Sequence, residues 1–237
     1  MGRAIRIGRR DVDTIYLAAL VAIGALIALF VGIASEMLEG ETRAIDERLV
    51  LAFRSAADPR QLAGPLWVTE IARDVTALGG GTVLTLVVAA VTGFLLLTKK
   101  RHALLVILLA TAGGIALSYA LKGHFARPRP ELVPHLSIVS SSSFPSGHSM
   151  LAAVVYLTLA AMLARLVQRR TLKLYIVAVA AIIAFAVGVS RVLLGVHYPT
   201  DVAAGWAVGI AWAIACGALM RLLQKNDVVE DATGATR

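Results

Sequence analysis

The sequence predicts an all-α, polytopic membrane protein: six transmembrane helices in a bundle, with further amphipathic helices at the interface. Three observations carry that expectation. Composition is 58% apolar and only 16% charged, against roughly 25% charged in a soluble domain. Six apolar stretches are about long enough to cross a hydrocarbon core, which needs about 20 residues. The basic residues gather in alternate connections between those stretches.

The stretches run Ile15–Ala34, Gly81–Leu97, Ala103–Leu121, His148–Leu166, Leu174–Val189 and Val202–Leu222. The first follows Arg3, Arg6, Arg9 and Arg10, but its apolar run exceeds a signal-peptide core and Gly32-Ile33-Ala34 is a weak cleavage site, so an uncleaved helix is expected. Between the first two stretches, Ile45, Leu49 and Phe53 recur at helical spacing, with Arg43, Glu47 and Arg54 elsewhere around the turn. Val68, Ile71, Val75 and Leu78 form a second stripe, opposed by Glu70, Arg73 and Asp74. Both read as amphipathic helices at the membrane surface, with Trp67 in an aromatic belt. Their role is either a wall over a site or packing across the helix ends. Ser137 and the Ser140–Ser143 run read as a polar, flexible approach to the fourth span. The length of 237 residues allows one domain: a cytoplasmic tail at 1–14, the six-span domain at 15–225, and a disordered tail at 226–237.

Lys and Arg occupy the N-terminal tail, the Lys99-Lys100-Arg101 connection, the Arg165–Lys173 connection and the C-terminal end. With six spans, all four fall on one side, and the positive-inside bias makes that side cytoplasmic. The Ser35–Gly80 connection, the Lys122–Gly147 loop and the short turn after Val189 then share the outer face. The net charge of +8 forms no basic stripe with stacking aromatics, so nucleic acid is not an expected partner. The single Cys216 excludes an intrachain disulfide and reads as a small packed residue.

Three motifs fall on that outer face: Lys122 with Arg129-Pro130, then Pro145-Ser146-Gly147-His148, then Ser190-Arg191 with His197 and Asp201. Lys122, Arg129 and Arg191 can surround the non-bridging oxygens of a phosphate. Ser146 and Gly147 precede the fourth span, so backbone N–H groups at its N-terminus can hold an anion, and Gly147 admits a close approach. Asp201 can accept a hydrogen bond from one nitrogen of the His197 ring and leave the other free to attack phosphorus. Taken singly, each of these side chains has an ordinary reading as a snorkelling cation, a packed histidine or helix-start punctuation. Their joint order and spacing are what argue for a site.

That order resembles the signature of the type 2 phosphatidic acid phosphatase (PAP2) family, in its bacterial membrane-bound lipid phosphatase branch. The superfamily also holds glucose-6-phosphatases and vanadium haloperoxidases. The resemblance covers about Lys122–Asp201. It implies that His197 forms a phosphohistidine, that Asp201 orients it, and that His148 protonates the leaving group and then activates water. Of Arg127-Pro128 and Arg129-Pro130, the family spacing selects Arg129; Arg127 is open to an assisting role or a lipid-headgroup contact, with a solvated loop charge as its first reading. His124, His135 and His102 match no family position. No metal and no cofactor are implied.

The expected function is therefore hydrolysis of a membrane lipid phosphate at the periplasmic or external face of a bacterial inner membrane. By resemblance the substrates include undecaprenyl diphosphate, phosphatidylglycerol phosphate, phosphatidate and lipid A phosphates. Transfer of the phosphoryl group to another hydroxyl would use the same residues and is the alternative. Haloperoxidase chemistry is opposed by the apolar spans, and a transporter would tolerate loss of His197. Gly113-Gly114 and Gly205-x-x-x-Gly209 read first as internal helix packing and second as a homodimer contact.

Overall fold

The computed structural model describes residues 4–7, 10–137 and 141–225. Among the described residues, eight helices follow a short hairpin. Strands β1 (Ala4–Ile7) and β2 (Arg10–Asp13) pair antiparallel where the sequence suggests a plain tail. The helices are α1 (Thr14–Glu39), α2 (Arg43–Ala52), α3 (Leu66–Ala77), α4 (Gly81–Leu97), α5 (Arg101–Phe125), α6 (Gly147–Leu166), α7 (Arg170–Leu193) and α8 (Pro199–Lys225). The C-terminal tail from 226 lies outside the described residues.

Helices α1, α5, α6, α7 and α8 are each long and apolar enough to span a membrane. With 17 residues, α4 rises only about 25 Å at 1.5 Å per residue, short of a roughly 30 Å hydrocarbon core. It joins α3 through a 44° bend, and the pair qualifies as a sixth, broken span. The second stripe is thus an extension of a span as much as a surface helix. The spanning helices overrun the apolar stretches by up to a turn or more, so Lys122, His148, Arg191 and Asp201 all sit in terminal helical turns.

Each end has a local cause. The α1 helix stops at Gly40, whose φ of +82° is the left-handed conformation that closes a helix. Ala126 takes the same conformation at φ +47°, donating its N–H to Lys122 O, and Pro128 prevents further helix. Ser146 caps α6, its hydroxyl accepting from the Ser149 N–H. Pro199 opens α8 in the first turn, where its missing N–H is not needed.

Helix α6 is the hub, packing on α5, α7 and α8. Its inner face is built from small residues: Ala152 and Ala153 are fully buried, and Ala184 of α7 packs against them. Where α8 crosses α6, a Cβ on Gly205 would stand 2.7 Å from Ser146 O and one on Gly209 2.5 Å from Met150 O. The two backbones touch there, which fulfils the internal-packing reading of that glycine pair. Gly113 likewise receives the Trp212 ring, whose Nε1 donates to Ala110 O at 2.9 Å. Trp206 donates to Ala184 O at 3.0 Å. Large side chains such as Leu20, Ile27, Leu174, Ile182 and Phe185 point outward, as lipid-facing positions do.

Candidate active site

The C-terminal ends of α5 and α7 and the N-terminal ends of α6 and α8 meet at one end of the bundle. Ser146 N donates to Asp201 O at 2.9 Å, which joins the starts of α6 and α8 directly. The loop between α5 and α6 folds across this end. It is anchored by Phe144, wholly buried between Phe30 of α1 and Phe125 of α5, with ring centroids 5.7 and 4.9 Å away.

His197 lies in the turn between α7 and α8 and is only 1% exposed. Its Nδ1 faces Asp201 Oδ2 at 3.4 Å and Ser143 Oγ at 3.3 Å; its Nε2 lies 3.2 Å from Arg129 Nη1. A guanidinium can only donate, so Nε2 offers its lone pair on the Arg129 side and Nδ1 carries the proton toward Asp201. Burial pushes the imidazole pKa down to about 3, outweighing the opposing pull of Asp201, so the ring is neutral at physiological pH. A neutral, oriented imidazole is the form that can attack phosphorus.

Asp201, with no exposure, is saturated. Oδ2 also accepts from the Tyr198 N–H at 2.9 Å and from the Ser143 hydroxyl, while Oδ1 accepts from Arg127 Nη1 at 2.6 Å. Arg127 reaches onward through Nη2 to Asp46 Oδ2 at 2.9 Å and lies over the Tyr198 ring, 4.3 Å from its centroid. Asp46, also fully buried, accepts from Thr200 N and Thr200 Oγ1. Burial works against the Arg127 charge, yet Asp201 and Asp46 outweigh it and hold its pKa above the usual arginine value.

The cations converge as the motifs suggest. Arg129 donates through Nε to Ser141 O at 2.8 Å and through Nη1 to Val196 O at 2.6 Å. Burial lowers its pKa, and Asp201 offsets this only in part. Lys122 donates to Ser142 O, and the Ser142 hydroxyl returns a bond to Lys122 O at 2.8 Å. The Lys122 stem passes Gly147 so closely that a Cβ there would stand 3.3 Å from Cε. Arg191 is 2% exposed; Nη1 donates to Thr76 Oγ1 of α3 at 3.0 Å, and Nε has no partner. His148 is half-buried, within electrostatic reach of Arg191, His197, Arg129 and Lys122. Three cations that face one another, with a single compensated carboxylate below, form a seat for a multiply charged anion. Among the described residues no cluster of three or more His, Cys, Asp or Glu could hold a metal ion.

Three expectations are corrected. Arg127 is not a solvated loop charge but the link between Asp201 and Asp46, because those buried carboxylates need a cation. Ser140 of the serine run lies outside the described residues, but Ser141–Ser143 are not a loose approach: each supplies an atom that seats Arg129, Lys122 or Asp201. The stripe of Ile45 and Leu49 on α2, with Phe53 just beyond it, faces outward at 58, 41 and 39% exposure, as in a helix lying at the interface, while Asp46 and Val50 point inward. Arg54, expected on the polar side, is 7% exposed and lies against Gly195. The left-handed Gly195, at φ +71°, leaves the room that guanidinium occupies. Asp46 and Thr76 were not singled out from sequence, and Ser143 only as a member of the serine run. The available signal was the duplicated Arg-Pro pair, which offers Arg127 as a second cation; no local pattern marks Asp46 or Thr76.

The PAP2 superfamily pattern matches residues 103–225. Phosphatidylglycerophosphatase B of Bacillus subtilis (strain 168) is 34% identical over 147 residues, 61% of this chain and 71% of that protein. The bacitracin transport permease protein BcrC of Bacillus licheniformis is 41% identical over 73 residues, 31% of each chain. The crystal structure of a transmembrane PAP2-type phosphatidylglycerolphosphate phosphatase from Bacillus subtilis superposes with a TM-score of 0.75 at 29% identity, covering 85% of this chain and 96% of that one. The Aquifex aeolicus LpxE structure gives 0.51 at 28% identity, covering 68% and 88%.

Proposed function

The chain belongs to the PAP2 superfamily and is a membrane lipid phosphatase, and from that premise we propose that it hydrolyses a glycerophospholipid monophosphate through a phosphohistidine on His197 Nε2. The observation that carries this is the setting of the His197 ring: Nδ1 held toward Asp201, Nε2 beside Arg129. A phosphate oxygen bound by Arg129 brings phosphorus onto the Nε2 lone pair. Attack forms the N–P bond and breaks the P–O bond to the lipid. Lys122, Arg129 and Arg191 stabilise the charge on the equatorial oxygens, as a metal does in other phosphoryl-transfer sites. His148 donates its proton to the departing lipid oxygen, then takes one from the water that attacks phosphohistidine. Inorganic phosphate leaves and both histidines are restored.

Phosphatidylglycerol phosphate is the first substrate to test, because the Bacillus subtilis sequence relative and the Bacillus subtilis solved structure both carry that activity in their names; undecaprenyl diphosphate is the second. The four basic helix ends and connections opposite the site support a site on the outer face of a bacterial inner membrane. The experiment is phosphate release from these lipids and phosphatidate by detergent-purified protein with chelator present, beside His197→Ala. Turnover by the parent and a loss of at least about a thousandfold in the variant are expected. Equal turnover in both would sink the nucleophile assignment, and release only with an added alcohol acceptor would make the protein a phosphotransferase.

A further inference from the structure

Three cations surround the proposed phosphate seat, and the fold gives none of them a carboxylate at bonding distance. Lys122 donates to Ser142 O, and Arg129 to Ser141 O and Val196 O. Among the described residues, the ion pairs at this end of the bundle belong to Arg127 and His197 instead. A carboxylate would fix a guanidinium but cancel the charge that an incoming phosphate meets. A neutral oxygen fixes it and leaves the charge whole. Arg191 follows the same rule with one difference. Its Nη1 donates at 3.0 Å to the hydroxyl of Thr76, a side chain and not a backbone carbonyl. Among the described residues this is the only hydrogen bond of the Arg191 side chain, whose buried Nε has no partner.

Thr76 stands where a hydroxyl needs a reason. With Ala72 it forms the buried face of α3, in apolar surroundings: Ala72 clusters with Leu194 and Val196, and Val75 packs on the cluster of Ala152, Ala153, Ala184 and Val187. Valine has nearly the same shape and would be less costly to bury, since a hydroxyl withdrawn from water is penalised unless it is bonded. The position is also held firmly. Tyr156 Oη donates to Leu78 O at 2.8 Å, and a Cβ on Gly79 would stand 3.2 Å from His148 O of α6. The end of α3 is thus wedged against α6 and α7, which fixes the hydroxyl relative to the seat. Thr76 lies outside residues 103–225, the part of the chain that the superfamily pattern covers.

We infer that Thr76 is a positioning residue for the reaction: its hydroxyl oxygen holds one arm of the Arg191 fork so that the unpartnered Nε is left to the phosphate. The inference rests on the reading of Lys122, Arg129 and Arg191 as the phosphate seat, and adds to it a residue from the broken α3–α4 span. Without the hydroxyl, Arg191 keeps its charge and its burial but loses the bond that selects one rotamer. The fork then no longer meets the equatorial oxygens at a fixed angle. That loss falls on the transition state more than on the bound substrate, because the seat is matched to the phosphoryl group in transfer.

The test compares the parent, Thr76→Val and Thr76→Ser in detergent, by calorimetric titration with orthovanadate and by kcat and KM on the lipid that the parent hydrolyses fastest. Five-coordinate vanadate mimics the phosphoryl group in transfer. Thr76→Val keeps the shape and removes the acceptor, whereas Thr76→Ser keeps the acceptor and removes the methyl group. Vanadate affinity and kcat are expected to fall about tenfold in Thr76→Val, the low end of what a hydrogen bond to a charged group is worth. KM should change less, and the unfolding temperature should hold. Thr76→Ser is expected to restore both affinity and kcat. If the valine variant does not fold, Thr76→Ala takes its place, with serine again restoring what alanine loses. A packing role would reverse the order, valine serving as threonine does and serine falling short. That reversed order, or equal vanadate affinity in Thr76→Val and the parent, would overturn the assignment. A parent that binds no vanadate would overturn the phosphate seat and this role with it, so the parent alone tells the two failures apart.

Discussion

Asp201 Oδ2 faces His197 Nδ1 at 3.4 Å, and Asp201 is itself held from behind. Its Oδ1 is taken by Arg127, which Asp46 fixes from α2. Removing one member of such a buried ion-pair chain leaves its neighbours uncompensated, at a cost of about 3–5 kcal/mol. Asp46→Asn or Arg127→Gln is therefore expected to lower kcat by ten- to a hundredfold with a smaller change in KM, since neither contacts phosphate and a displaced nucleophile costs about that much. An unchanged kcat in both variants would show that Asp201 holds the ring unaided. His197 also sets a pH response. In the unfolded chain its imidazole takes up a proton near 6.5, whereas in the fold it does so only near 3. Between those values the unfolded state binds the extra proton, so the contribution is full above about pH 6.5 and declines as pH falls, by about 1.4 kcal/mol per unit. Unfolding temperatures of the parent should accordingly drop more steeply from pH 7 to 5 than those of His197→Gln.

At the level of elements, the decisive contact is α6 against α8. Gly205 and Gly209 bring Asp201 to the Ser146 N–H by letting the two backbones touch. Gly209→Val would place a branched side chain where Met150 O now stands, with no flexible neighbour to move aside. Overpacking of this sort costs about 1–3 kcal/mol, and the expected result is a lower unfolding temperature together with reduced activity from misplacement of the phosphate seat. Normal stability and activity in that variant would mean that the helices can separate without disturbing the site. The exposed Arg43–Glu47 pair on α2, by comparison, contributes little. The α2 helix is tied down by Asp46, whereas its regular apolar stripe faces outward.

For the whole molecule, the proposed catalytic cluster and the α6–α7 connection lie at opposite ends of one bundle, so the two are expected at different leaflets. With Cys216 replaced by serine, a cysteine at Glu131 in the α5–α6 loop is expected to react with a membrane-impermeant maleimide added to intact cells. One at Arg169 is expected to react only after lysis. The reverse pattern would invert the orientation and contradict the charge bias.

The spans, and the gathering of the motif residues at one end of the bundle, were legible in the chain because each rests on local or one-dimensional information. Apolar length, the side on which Lys and Arg collect, and the spacing within three short motifs do not require knowledge of how helices cross. Lys122, Arg129, Ser146, Gly147, His148, Arg191, His197 and Asp201 all lie at the end of the bundle where those motifs put them. The supports were not legible. Asp46 and Arg127 stand 81 positions apart, and Thr76 and Arg191 are separated by 115. Nothing in the local pattern of α2 marks Asp46 as buried, since helical periodicity ranks faces by hydrophobicity. Its inward placement follows from a cation on another element, and only the fold brings the two together. The same holds for Arg165, Lys173 and Arg221, which only the packing of four helices brings around one cavity.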